Sequence, residues 1–169
     1  MIKVSKWLAA AALLFAVGGG AAKAQDVTLP DKGTTEYSLN GNISFEKNSS
    51  WQVNGRWAPF ASKNLQWGID LTVLDGPGIS TSGFIGGLIN WYFRNGSDTG
   101  TTLPYIGAGL AGTFGDLNGS VWDVHAGLKY FVNTNVAFTA ELQYLNFSNN
   151  SFAGNDNTTQ LNFGISVFR

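Results

Sequence analysis

The strongest constraint on this 169-residue chain is a two-residue rhythm that recurs eight times. In residues 35–47, Tyr37, Leu39, Ile43 and Phe45 share one parity. Glu36, Ser38, Asn40, Asn42, Ser44 and Glu46 share the other. Residues 50–58 set Trp51, Val53 and Trp57 against Gln52, Asn54 and Arg56, and residues 64–74 set Leu65, Trp67, Ile69, Leu71 and Val73 against Gln66, Gly68, Asp70 and Thr72. The rhythm returns in 103–114, 120–132, 136–147 and the closing "QLNFGISVFR". In 83–94 it is blurred: Ile85, Ile89, Trp91 and Phe93 face one way, but Phe84, Leu88 and Tyr92 are apolar on the other. Those three either line a small hydrophobic cavity or mark a bulge that flips the parity.

Period two makes a strand with two chemically different faces. Short turn sequences such as "LDGPGIS", "NGSDTGTT" and "NTN" separate the segments, so neighbours are expected to be antiparallel hairpins. Each segment has some 9–13 residues, close to the roughly 9–11 that a tilted strand needs to cross a bilayer. Eight is an even number, as bacterial transmembrane barrels require. The expected fold is all-β: an eight-stranded antiparallel up-and-down transmembrane β-barrel.

The start of the chain sets the compartment. "MIKVSKW" is basic, Leu8 to Ala22 carries no charge, and Ala22-Lys23-Ala24 is an A-x-A site. This is the pattern of a cleavable secretory signal peptide over 1–24. Residues 25–34 read as a short polar leader and 35–169 as one barrel domain. Beyond residue 24, 7 Lys+Arg stand against 11 Asp+Glu, which leaves no basic footprint for nucleic acid. The chain has no cysteine, which excludes a disulfide framework and thiolate chemistry. No later apolar run is long enough for a transmembrane helix.

Period two does not say which face is outside; volume and position do. The apolar face carries Trp51, Trp57, Trp67, Trp91 and Trp122. An eight-stranded barrel has an interior only wide enough for modest side chains. The opposite face holds Gly68, Gly86, Gly107, Gly109, Ala111, Gly127 and Gly164 among Ser, Asn and Gln. With both termini at one end, Tyr37, Trp57, Trp67, Trp91, Phe93 and Tyr130 fall near that rim. Phe45, Trp51, Phe114, Trp122 and Tyr144 fall near the other. Two aromatic girdles around an aliphatic band suit the two interfaces of a bilayer. The apolar face is therefore expected to meet lipid.

Three stretches carry a resemblance: "PYIGAGLAGTF" (104–114), "HAGLKYFVNTNVAFTAELQYLNF" (125–147) and "LNFGISVFR" (161–169). Together they resemble the small bacterial outer-membrane β-barrel family, the OmpA/OmpX-like group. The resemblance implies a Gram-negative outer membrane, a setting of outer-membrane lipid, and insertion by the barrel-assembly machinery with periplasmic chaperones. It implies no single activity, since members include membrane anchors, porin-like narrow pores and a few lipid-modifying enzymes. A monomer is expected. The family usually ends on an aromatic residue taken as part of an assembly signal. Here Phe163, Ile165, Val167 and Phe168 fill the closing strand, and Arg169 follows.

The inward parity holds Glu36, Arg56, Asp70, Asp123, His125, Lys129 and Glu141. Buried charges persist when paired, so these seven are expected to form a polar network that plugs the lumen. The lumen glycines keep open the alternative of a narrow pore, and Phe84, Leu88 and Tyr92 that of a conduit for a small hydrophobic ligand. His125 is the single histidine, and no serine stands in an evident nucleophile position beside it. A lipid-modifying enzyme is the third reading. No catalytic residue, cofactor or metal is assigned. The expected role is structural: a small integral outer-membrane protein.

Overall fold

The computed structural model describes residues 27–44, 50–76, 79–94, 96–117, 119–148 and 157–169. Phe45, Glu46, the signal-peptide stretch and most of the last connection lie outside these residues. The strands in chain order are β1 (Val27–Thr28), β2 (Thr35–Ser44), β3 (Ser50–Pro59), β4 (Leu65–Gly76) and β5 (Ile79–Tyr92), then β6 (Thr99–Gly100), β7 (Thr102–Phe114), β8 (Ser120–Asn133), β9 (Val136–Phe147) and β10 (Asn157–Phe168).

Eight of these form a closed antiparallel barrel in the order β10-β2-β3-β4-β5-β7-β8-β9. Closure follows from the ends: Phe163 pairs with Gly41 and the register runs to Phe168 opposite Glu36. One step further, the Thr35 amide donates to the Arg169 carbonyl at 2.6 Å and the Arg169 amide donates back at 3.0 Å. Closure leaves no sheet edge, which is what strands need where no water can satisfy backbone groups.

The alternating residues sort as their parity requires. Leu39, Trp57, Trp67, Ile89, Trp91, Leu110, Trp122 and Phe138 are exposed on the outside, while Glu36, Arg56, Gln66, Asn90, Lys129 and Glu141 are buried inside. This inverts the usual soluble arrangement. Strand β5 starts four residues before the alternation is legible, on Ile79. Its pairing with β7 is continuous from Gly83 opposite Phe114 to Tyr92 opposite Tyr105. No bulge flips the parity there, and Phe84, Leu88 and Tyr92 point inward and are buried. The register shifts lie elsewhere, between Leu74 and Gly76 and between Phe131 and Asn133, both near strand ends.

Residues 27–34 pack against the barrel. β1 pairs with β6, placing Val27 opposite Gly100 and Thr28 opposite Thr99. β6 lies in the connection between β5 and β7. Leu29 and Pro30 are buried, although polar neighbours surround them in sequence.

Candidate functional site

Inside the barrel the side chains fall into three tiers. At the end bearing both termini, Leu29, Phe60, Tyr92, Leu103, Tyr105, Phe131, Ala137 and Phe168 form an apolar cluster. Toward the loop end, Leu74, Phe84, Leu117, Val121, Leu145 and Phe147 form a second, with Ala111 packed against it. Between the clusters lies a polar network.

Its anchor is the ion pair of Lys129 Nζ and Glu36 Oε1 at 2.6 Å, both side chains fully buried. It links β8 to β2, which are three strands apart around the barrel. Ser166 Oγ donates to the same carboxylate oxygen at 2.8 Å and lies 2.9 Å from Thr139 Oγ1. Gln66 Nε2 donates to the other oxygen of Glu36 at 2.8 Å, and the Tyr92 hydroxyl donates to Gln66 Oε1 at 2.9 Å. Asn90 Nδ2 also donates to Gln66 Oε1 at 2.9 Å. Asn90 Oδ1 then faces His125 Nε2 at 2.7 Å, and His125 Nδ1 faces Asp123 Oδ1 at 2.6 Å. The chain Glu36–Gln66–Asn90–His125 visits β2, β4, β5 and β8, and Lys129 on β8 returns it to Glu36. The result is a hoop around the inner wall.

Arg56 makes a second crossing. Its Nε and Nη2 hold the Asp70 carboxylate in a bidentate grip at 3.1 Å each. Its Nη1 donates to Glu141 Oε2 at 3.1 Å. Arg56 and Asp70 are register partners on adjacent strands, whereas Glu141 lies across the lumen on β9. The Tyr105 hydroxyl donates to the same Glu141 oxygen at 2.7 Å.

Glycine makes these crossings possible. Asn90, Gly107 and His125 are successive partners in one register row across β5, β7 and β8. A methyl group on Gly107 would collide with both Asn90 Oδ1 and His125 Nε2. Tyr105, Gly127 and Glu141 form the same kind of row across β7, β8 and β9, and a methyl on Gly127 would collide with the Tyr105 ring. Each glycine thus lets side chains two strands apart meet over it. The room at Gly107, Gly109, Gly127 and Gly164 is taken by the polar side chains of Asn90 and His125, Asp123, Tyr105 and Asn40, whereas Gly68 and Gly86 lie against backbone carbonyls and the methyl groups of Ala58 and Ala111.

Glu36, Arg56, Asp70, Asp123, His125, Lys129 and Glu141 all lie on the inner face. Glu36 and Lys129 pair; Arg56, Asp70 and Glu141 form a triad; His125 pairs with Asp123. Gln66, Asn90, Tyr105, Thr139 and Ser166, which link these groups, are uncharged, and no charge in the sequence marks them. Their parity placed them inside, but only the register shows that they bridge. Both nitrogens of His125 face acceptors, Asp123 and Asn90, rather than a serine. Among the described residues no group of three or more His, Cys, Asp or Glu is placed to hold a metal.

Of the aromatic girdle residues, Tyr37, Trp51, Trp57, Trp67, Trp91, Phe93 and Trp122 are exposed on the outer wall. Tyr130 and Tyr144 are half-buried there. On the closing strand, Phe163, Ile165 and Val167 are exposed outside, whereas Phe168 is buried inside against Phe131, with ring centroids 5.2 Å apart. A concavity of about 680 Å³ also lies on the outer wall, between the rows of Ile89, Ala108, Val124 and of Trp91, Ile106, Ala126.

No family model and no curated protein matches the chain. Solved structures do. The N-terminal β-barrel domain of Pseudomonas aeruginosa OprF superposes with a TM-score of 0.61 at 14% identity, over 83% of this chain and 100% of that one. Neisserial surface protein A gives 0.55 at 18% identity, over 79% and 94%. A de novo designed transmembrane β-barrel gives 0.59 at 17% identity, over 83% and 98%. The fold is that of the small eight-stranded outer-membrane barrels. The designed barrel has this fold without an evolved role, so the likeness extends to the architecture alone.

Proposed function

We propose that the chain is a small integral protein of a Gram-negative outer membrane, non-enzymatic, whose lumen is plugged by its own side chains. In this reading residues 1–24 direct export, the barrel-assembly machinery and periplasmic chaperones deliver residues 35–169 to the membrane, and the protein stands in lipid as a monomer. Exposed apolar residues along every barrel strand support the lipid setting. The observation that carries the plug is the hoop of Glu36, Gln66, Asn90, His125 and Lys129, with an apolar cluster on each side. An ion moving along the axis would have to break buried ion pairs and pass two apolar layers. A second reading, a conduit for a small hydrophobic ligand, has the loop-end cluster of Leu74, Phe84, Val121 and Phe147 in its favour.

The test is planar-bilayer recording from refolded protein, with insertion verified by heat-modifiable mobility of the same sample. The expected result is inserted protein without stable conductance steps. Steady steps that vanish on lumen substitutions such as Arg56→Gln would overturn the plug.

A further inference from the structure

Residues 27–34 contribute a side chain to the inside of the barrel, and the way they are fixed points to a role of their own. Leu29 is 5% exposed and sits in the apolar cluster with Phe60, Tyr92, Leu103, Phe131 and Phe168. Those residues come from the turn after β3 and from β5, β7, β8 and β10, so together they ring the mouth at the end bearing the termini. Leu29 belongs to no barrel strand. It reaches the ring because residues 27–34 are tied down along their length.

The ties are separate and of different kinds. β1 pairs with β6. The Leu29 amide donates to the Asp98 carbonyl at 2.9 Å, and the Gly33 amide donates to the Phe60 carbonyl at 3.0 Å. Gly33 has φ of 89°, a conformation that a side chain disfavours, and it turns the chain from the mouth up into β2. Arg94 donates to the Pro30 carbonyl. Lys63 Nζ holds the Asp98 carboxylate at 2.6 Å, so the turn after β3 is clipped to the connection that carries β6.

We propose that residues 27–34 are a strap that stoppers this mouth of the barrel, with Leu29 as the stopper side chain and the ring of Phe60, Leu103, Phe131 and Phe168 as its seat. This rests on the plugged-lumen reading and deepens it: closure at this end depends on a segment outside the barrel strands. The strap is held mostly by rim contacts. The seat it covers is an apolar, aromatic-walled site.

Single-cysteine labelling tests this, because the chain has no cysteine of its own. Ala137 is fully buried in the same cluster as Leu29, so Ala137→Cys reports on the space behind the strap. The reagent is a small water-soluble methanethiosulfonate, applied to the refolded full-length chain. With the leader intact, labelling is expected to be slow. Adding Leu29→Asp places a carboxylate in an apolar seat and should release the strap. Labelling should then rise by about tenfold or more, since labelling of a protected site tracks the population of its open form. Leu29→Ala, which only empties the seat, should give a smaller rise and serves where Leu29→Asp does not refold. Equally slow labelling with Leu29 intact and replaced, in variants that keep heat-modifiable folding, would overturn the stopper and leave the plug standing. Fast labelling with Leu29 intact would overturn both the stopper and the plug at this end.

Discussion

Lys129 Nζ and Glu36 Oε1 lie 2.6 Å apart across the barrel, and neither side chain reaches solvent. The first prediction concerns this pair. Lys129→Met leaves Glu36 buried without its cation, and removing one partner of a buried pair costs about 3–5 kcal/mol. Glu36→Met added to it removes the orphaned charge. The double variant should recover most of the loss in urea unfolding from lipid vesicles. Additive losses in the double variant would show that the pair acts through something other than mutual compensation.

The second concerns glycine. Gly107→Ala sets a methyl group against the Asn90–His125 contact, and Gly127→Ala sets one against the Tyr105 ring. Each should cost about 1–3 kcal/mol, as overpacking does. Gly112 is the control: it faces outward with open space where a Cβ would stand. Gly112→Ala should be neutral or slightly stabilising in the same unfolding experiment.

The third concerns the outer wall. Ile69 is exposed in the middle of β4, and Val132 is exposed near the terminal-end rim of β8. If the wall meets lipid, Ile69→Arg should cost about 2–4 kcal/mol and Val132→Arg about 0–1. Equal effects of the two would contradict a depth-dependent apolar surroundings.

The fourth concerns pH at the strap. The hydrogen bond from Lys63 holds the exposed Asp98 carboxyl below its ordinary range, and the same bond raises the Lys63 ammonium. A depressed acid contributes stability above its unfolded pKa and loses it as pH falls through the folded value. A raised base contributes below its unfolded pKa and loses it as pH rises through the folded value. The clip should therefore hold between about pH 4 and about pH 10.4 and weaken outside that window. Protection of the Leu29 amide from hydrogen exchange should fall on both limbs. Asp98→Asn should flatten both, and high salt should shrink the effect because the pair is exposed.

The barrel was legible because parity is local: Trp67 and Gln66 are neighbours in the chain and must fall on opposite faces. The same parity put Arg56, Glu141 and Lys129 inside and left Phe168 on the inner side. Which of these meet is a matter of register, and register depends on all eight strands closing together. Nothing near Asn90 in the sequence signals that it reaches His125 over Gly107. Leu29 is hidden in the sequence for a different reason. Val27 and Leu29 alternate with Asp26 and Thr28 only as far as Pro30, Asp31 and Lys32, a run too short to mark Leu29 as buried. Its place follows from β1 pairing with a two-residue strand in a distant turn.

In this barrel the polar network fills the inside, and the apolar wall is the surface expected to face hydrocarbon. Five tryptophans, at 51, 57, 67, 91 and 122, are all exposed on that wall. Their fluorescence in vesicles of lipids brominated along the acyl chains reports whether that wall meets hydrocarbon, with aqueous iodide as the opposing quencher. Strong quenching by the brominated lipids and little by iodide is the expected result for a lipid-facing wall. Strong iodide quenching with no effect of the brominated chains would contradict it.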